Sequence, residues 1–176
     1  MNNTFLIENQ QSDRLFFRRL TLDDIPHWTT FASNKKAMRF FDLNGTIPLE
    51  FSESWIKRQL ARYDENGFGL AALIEKKTGE FVGQCGLLTQ DVEGKVEIEI
   101  GYSLMPDHTG KGFATEAAVF CKNFAFARQL TDTLISLIHP ENTASANVAV
   151  RNGMVPDGRT TYNQFEVVVY RVNRDR

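Results

Sequence analysis

Cysteine is scarce in this sequence: Cys85 and Cys121 are the only two, and both lie inside apolar stretches. So placed, they read as small buried hydrophobes, not as the start of a disulfide framework. An excess of one charge is also lacking. The formal net charge is −2, without the basic surplus of a nucleic-acid footprint. No apolar run approaches the ~20 residues of a membrane-spanning helix. Met1 to Leu6 hold no basic segment followed by a long apolar one, so no secretory leader is expected and the chain reads as cytoplasmic. His27, His108 and His139 are scattered without ligand spacing, and no metal site is expected. No Ser or Cys stands in a nucleophile motif. Repeats, low-complexity tracts and Pro/Gly/Ser-rich linkers are absent too, so residues 1–176 read as one domain.

Apolar side chains are plentiful. They make up 42% of the chain, with 14 Phe, enough for one real core. Arg14 to Leu20 reads as a first strand. Thr21-Leu22-Asp23-Asp24 has the form of a capping box, ahead of a helix with Ile25, Trp28 and Phe31 turned inward. Apolar residues at 51, 55, 56, 60 and 63 space a second helix from Phe51 to Tyr63. Leu70 to Glu75 and Phe81 to Leu88 are strand-like, joined by a turn over 76–80. Val96 to Leu104 alternates strictly, with apolar residues at even positions, and is the clearest strand. Phe113 to Arg128 is amphipathic at helical spacing. Leu134 to Ile138 is a short buried strand. Asn142 or Thr143 can cap a further helix that stops before Gly153, and Phe165 to Tyr170 is the last strand, drawn here as an edge. The pattern is a mixed α+β sheet centred on a strand–loop–helix–strand unit from Val96 to His139. Its crossover should be right-handed.

The chemistry is concentrated in the loop of that unit. Gly110-Lys111-Gly112 sits between the clearest strand and the best amphipathic helix. Two glycines let main-chain N–H groups approach a ligand with no Cβ in the way. The helix that begins at Gly112 or Phe113 adds unpaired N–H groups and a positive dipole end, a combination suited to phosphate. The spacing is neither that of a Walker loop nor that of a dinucleotide fingerprint.

The run Glu97 to Pro106, followed by Gly110-Lys111-Gly112-Phe113-Ala114-Thr115-Glu116-Ala117, resembles the coenzyme A signature of the GNAT superfamily of N-acetyltransferases. Asn142-Thr143-Ala144-Ser145 and Arg151-Asn152-Gly153-Met154, with Arg14-Leu15, Arg18 and Phe81-Val82-Gly83, resemble the branch that contains the ribosomal-protein N-terminal acetyltransferases. The resemblance covers nearly the whole chain. It implies a three-layer fold: a mixed, mostly antiparallel sheet of six to seven strands, a splayed parallel pair at its centre and helices on both faces. It also implies acetyl-CoA as co-substrate and direct attack of a neutral amine on the thioester. Main-chain N–H groups near Leu104 and Met105 would take the acyl carbonyl and pantetheine, like an oxyanion hole. Those from Gly110 through Lys111, Gly112 and Phe113 to Ala114 would take the diphosphate, and Asn142 the pantetheine arm. Lys111 reads equally well as a phosphate-facing charge or a solvated loop lysine.

Glu97 and Glu99 share one face of their strand, so either can be the base that takes a proton from the amine; Glu99 matches the recurrent acid of the branch. Ser145 reads as a partner for water or the leaving sulfur, or as a helix-cap hydroxyl. Two positions depart from the pattern. Asp107 stands where Gln or Arg is frequent. Ala149 stands where many relatives have a Tyr to protonate the thiolate, so no general acid carries over. Trp28, Phe31, Phe40, Phe41 and Tyr63 are candidates for the acceptor wall. The acceptor is open between a protein or peptide α-amine and a small amine such as a polyamine, amino acid or antibiotic. A non-catalytic acyl-CoA-binding module is the third reading. A homodimer stays open.

Overall fold

The computed structural model describes residues 5–43 and 45–174, so Met1 to Thr4, where the leader reading began, lie outside it. Twelve strands and helices follow in order: β1 (Gln10–Gln11), β2 (Leu15–Arg18), α1 (Ile25–Ala32), α2 (Pro48–Asn66), β3 (Gly69–Glu75), β4 (Phe81–Val92), β5 (Lys95–Leu104), α3 (Phe113–Ala127), β6 (Thr133–Ile138), α4 (Thr143–Arg151), β7 (Val155–Tyr162) and β8 (Phe165–Asn173). The Asp24 carboxylate accepts the Thr21 N–H at 2.8 Å, as the capping pattern requires, and a short 3-10 turn, Leu22–Asp24, precedes α1. Helix α2 starts three residues before the apolar spacing shows it, because Pro48 brings a preset φ to its first turn. Strand β4 runs past Leu88 to Val92, where Glu93 (φ 54°) and Gly94 (φ 81°) make a tight turn into β5. Two successive positive φ angles are what a two-residue hairpin demands.

The eight strands form one sheet in the order β1-β2-β3-β4-β5-β6-β8-β7. All neighbours are antiparallel except β5 and β6, which share the single register pair Glu99↔Ile135. Past that pair the strands part. The count of eight exceeds the six to seven expected, because Gln10–Gln11 and Val155–Tyr162 also pair. The second of these carries Pro156 and Gly158, residues that a sheet interior rejects and an edge with a bulge accepts. It follows that Phe165–Asn173 is not the edge drawn from sequence. It lies between β6 and β7.

Side chains of β4 alternate between the two faces. Gln84 accepts the Trp55 Nε1–H of α2 at 3.0 Å, while the next residue, Cys85, has its sulfur 3.7 Å from that of Cys121 on α3. Helices α2 and α3 therefore cover opposite faces. Both cysteines are free and buried, and burial together with the neighbouring sulfur pushes the Cys85 thiol up. The core joins Leu15, Phe17, Trp28, Ile56, Tyr63, Ile100 and Phe113, each 2% exposed or less. Among the described residues, no helix is long and apolar enough to cross a membrane.

Candidate active site

The parting of β5 from β6 leaves main-chain groups without a ladder partner on one side of β5. The Met105 N–H donates to the Val82 carbonyl at 2.9 Å, so odd-numbered residues of this stretch bond to β4. Antiparallel pairing alternates, and the N–H groups of Tyr102 and Leu104 point away from β4, toward the gap. The Ile100 carbonyl points the same way and accepts the Ser136 hydroxyl at 2.8 Å, closing the root of the gap. Of the two amides expected to face the thioester, Leu104 is thus directed to the opening. That of Met105 is already engaged.

Burial along β5 does not follow side-chain polarity. Val96 is 71% exposed, while Glu97 and Glu99 are 5% and 8% exposed. Their surroundings differ. Glu97 receives Lys95 Nζ at 2.8 Å and Arg171 Nη1 at 3.2 Å. Burial pushes its carboxyl up, but these hydrogen bonds and charges win and hold it below the usual carboxylate range. Glu99 faces the cleft. Its Oε2 accepts Gln90 Nε2 at 2.6 Å and its Oε1 accepts the Leu137 N–H at 3.3 Å. Neither donor is charged, and burial raises the Glu99 carboxyl above its ordinary value. The same Gln90 amide donates to the Tyr162 hydroxyl at 3.0 Å, which brings β7 into the site. Burial also raises the Tyr162 phenol.

The glycine loop is open and held from beneath. Gly110 (φ 77°) and Gly112 (φ 84°) have left-handed backbone, and a Cβ on Gly110 would meet nothing within 4 Å. Among the described residues, no N–H from Gly110 to Thr115 donates to a protein acceptor. Arg14, just before β2, fixes the loop. Its Nη1 donates to the Lys111 carbonyl at 3.0 Å, its Nε to Glu116 at 2.7 Å, and its guanidinium lies 4.6 Å from the Phe113 ring centre. Glu116 also accepts the Ser12 hydroxyl at 2.6 Å and the Arg14 N–H at 2.7 Å. Burial lifts its carboxyl, and these donors more than offset that. The unpaired N–H groups and the exposed glycines suit a diphosphate. His108 packs near Phe113 with only 14% of its side chain exposed.

Asn142 is the cap of α4. Its Oδ1 accepts the Ser145 N–H at 3.1 Å, and both residues line the cleft. The Ser145 carbonyl accepts the Tyr102 hydroxyl at 2.8 Å, tying α4 to β5 across the gap. Ala149 is fully buried, and its carbonyl takes the Met154 N–H at 3.0 Å.

The cleft encloses about 1150 Å³. Of the aromatic candidates, Phe31, Phe40 and Phe41 line it. Trp28 and Tyr63 do not: both are fully buried, and the Tyr63 hydroxyl donates to the Leu70 carbonyl. Phe51, Trp55 and Phe165 stand on the wall in their place. Sequence reasoning also missed Gln90, Tyr162 and the arginines Arg58 and Arg62. Only the arginines left a signal, a like-charged pair four apart on a helix.

Residues 14–155 match the family model described as an acetyltransferase (GNAT) domain. The uncharacterized protein YkkB of Bacillus subtilis (strain 168) is 41% identical over 93 residues, covering 52% of this chain and 54% of that protein, about half its length. A crystal structure of an acetyltransferase from Agrobacterium tumefaciens str. C58 superposes with a TM-score of 0.80 at 28% identity, over 99% of each chain. The structure of RimL, a ribosomal L7/L12 alpha-N-protein acetyltransferase in complex with coenzyme A, has the same fold, with a TM-score of 0.74 at 18% identity over 94% of this chain and 97% of that one.

Proposed function

Since this chain belongs to the GNAT acetyltransferase family, we propose that residues 1–176 act as one cytoplasmic domain that acetylates a primary amine, namely the α-amine of a protein or peptide. Family membership makes it an acyltransferase with acetyl-CoA as co-substrate. The carrying observation is the position of Glu99. Its carboxyl is buried, raised above the usual range and facing the cleft, at the residue where β5 parts from β6.

Acetyl-CoA supplies a thioester, which is open to attack by a neutral amine. The protein's part is binding, orientation and proton removal. The N–H groups from Gly110 to Ala114, through Lys111, Gly112 and Phe113, receive the diphosphate. Asn142 holds the pantetheine arm with its amide N–H₂, since its Oδ1 is engaged in the cap. The gap-facing Leu104 N–H is aimed where negative charge develops on the acyl oxygen. Glu99 takes the proton of the acceptor ammonium, directly or through water. Its raised pKa makes it a stronger base, closer to the pKa near 8 of an α-amine. Ser145 stands at the cleft beside Asn142 and is the hydroxyl offered to the leaving sulfur, in place of any group at Ala149.

The test is release of free thiol from acetyl-CoA in the presence of peptides with free amino termini, polyamines and amino acids. Thiol release that depends on peptide supports the proposal. Coenzyme A binding without release on any amine would make the chain a non-catalytic binding module.

A further inference from the structure

The wall opposite the sheet carries charge that the reaction chemistry does not use. Arg58 and Arg62 stand four residues apart on α2, and both line the cleft. Among the described residues, no carboxylate comes within salt-bridge reach of either, Asp42 on the same wall included. The acids around them go elsewhere. Glu53 pairs with Lys57 at 3.5 Å, and Asp64 reaches Arg19 at 4.0 Å. Arg39 and Glu141, also on the wall, pair with each other at 2.7 Å. Like charges four apart on a helix repel and weaken it. Here they also line the cleft. Burial and the neighbouring Arg62 push the Arg58 guanidinium down. Arg58 lies 5.1 Å over the Trp55 ring, a contact that limits its freedom, and both residues line the cleft. Glu99 lies on the same cleft and feels the Arg62 charge.

We infer that the acceptor is an amine that also carries a carboxylate, with the amine directed to Glu99 and the carboxylate held by Arg58 and Arg62. The inference rests on the acetyltransferase reading above and narrows its acceptor. A planar guanidinium pair matches a carboxylate with two parallel hydrogen bonds. The same pair repels polyamines and polycationic antibiotics. The carboxylate can belong to an acidic residue near a peptide's amino terminus or to a free amino acid.

The experiment uses matched acceptors that differ in one charge: the tripeptide amides Ala-Asp-Ala and Ala-Asn-Ala, free aspartate, and spermidine. Thiol release should give a kcat/KM at least tenfold higher for the aspartyl tripeptide or free aspartate than for the asparaginyl tripeptide, and the better of the two names the source. In Arg58→Gln and in Arg62→Gln, the acid-over-amide ratio should fall about tenfold through the acceptor KM. Equal rates on the acid and amide tripeptides, a preference for spermidine, an unchanged ratio in both variants, or a rise confined to the acetyl-CoA KM would overturn the inference. If no amine is acetylated, the acetyltransferase reading fails by itself. Calorimetric titration of the two tripeptides into protein with bound coenzyme A then decides the inference: tighter binding of the acid, lost in the variants, sustains it, and equal binding refutes it.

Discussion

The Leu137 N–H donates to Glu99 Oε1 at 3.3 Å, across the two strands that have just parted. In an unbroken ladder a main-chain carbonyl of β5 would take that hydrogen. A side-chain carboxylate takes it instead, so one residue both satisfies the opened strand and faces the cleft. A buried N–H left unpaired costs about 1–3 kcal/mol. Glu99 therefore has a structural duty besides the chemical one proposed for it.

Glu99→Gln keeps an acceptor for Leu137 and removes the carboxylate proposed as the base. Its kcat at pH 7 should fall about 10²-fold or more. The loss should shrink as pH rises past ~8, where an α-amine deprotonates unaided. A pH–rate profile checks this. For the native protein the acid limb should lie above the ordinary carboxylate range, since burial raises Glu99. A profile of Glu99→Gln parallel to the native one would clear this residue of the role.

The same variant should gain stability relative to the native protein as pH rises to neutrality. Glu99 binds its proton more tightly folded than unfolded, so its contribution to stability is fullest below the unfolded value near ~4.3. That contribution is lost as pH rises through the raised folded value. Glutamine carries no charge to bury. The difference in Tm between Glu99→Gln and the native protein should grow in favour of the variant from pH 4 to pH 7. About 2–4 °C accompanies each kcal/mol in a chain of this size.

Asn142 is expected to act through two separable groups. Asn142→Ala removes the α4 cap and the amide donor, with a loss of about 1 kcal/mol in stability and a higher acetyl-CoA KM. Asn142→Asp keeps a cap acceptor and lacks the N–H₂. Its melting temperature should stay near native while the acetyl-CoA KM still rises. An acetyl-CoA KM that tracks stability across both variants would leave Asn142 as a cap alone.

Gly112→Ala should strain the loop. A left-handed φ of 84° costs an L-residue about 1–2 kcal/mol, and the new Cβ would come to 3.4 Å from Arg14 Nη2. The acetyl-CoA KM should rise with little change in the acceptor KM. Arg14→Gln, which releases the Lys111 carbonyl, should raise the same KM while costing under about 1 kcal/mol, since the ion pair with Glu116 is half exposed. Steady-state kinetics with each substrate varied in turn separates the two constants.

Much of the frame was legible in the chain because it rests on local rules. The capping acid Asp24, the helical spacing after Phe113 and the Asn142 cap each act within a few residues, and each stands where its pattern put it. Strand β7 was not legible, because Pro156 and Gly158 read as a turn unless the position is known to be an edge. The aromatic wall was half legible: Trp28 and Tyr63 share the composition of Trp55 and Phe51, and only packing decides which pair faces the core.

The sequence by itself determined the glycine loop between strand and helix, since both glycines and the helix start follow from residue type and spacing. Only the tertiary structure decided which acid faces the cleft. Glu97 and Glu99 are alike in type and face, but Arg171, which comes from β8, and Gln90, from β4, reach one each. Charge partners hold one carboxyl below its usual range, while burial beside a neutral partner raises the other. Partners that lie 74 and 9 residues away in the chain meet their acids only once the sheet has formed.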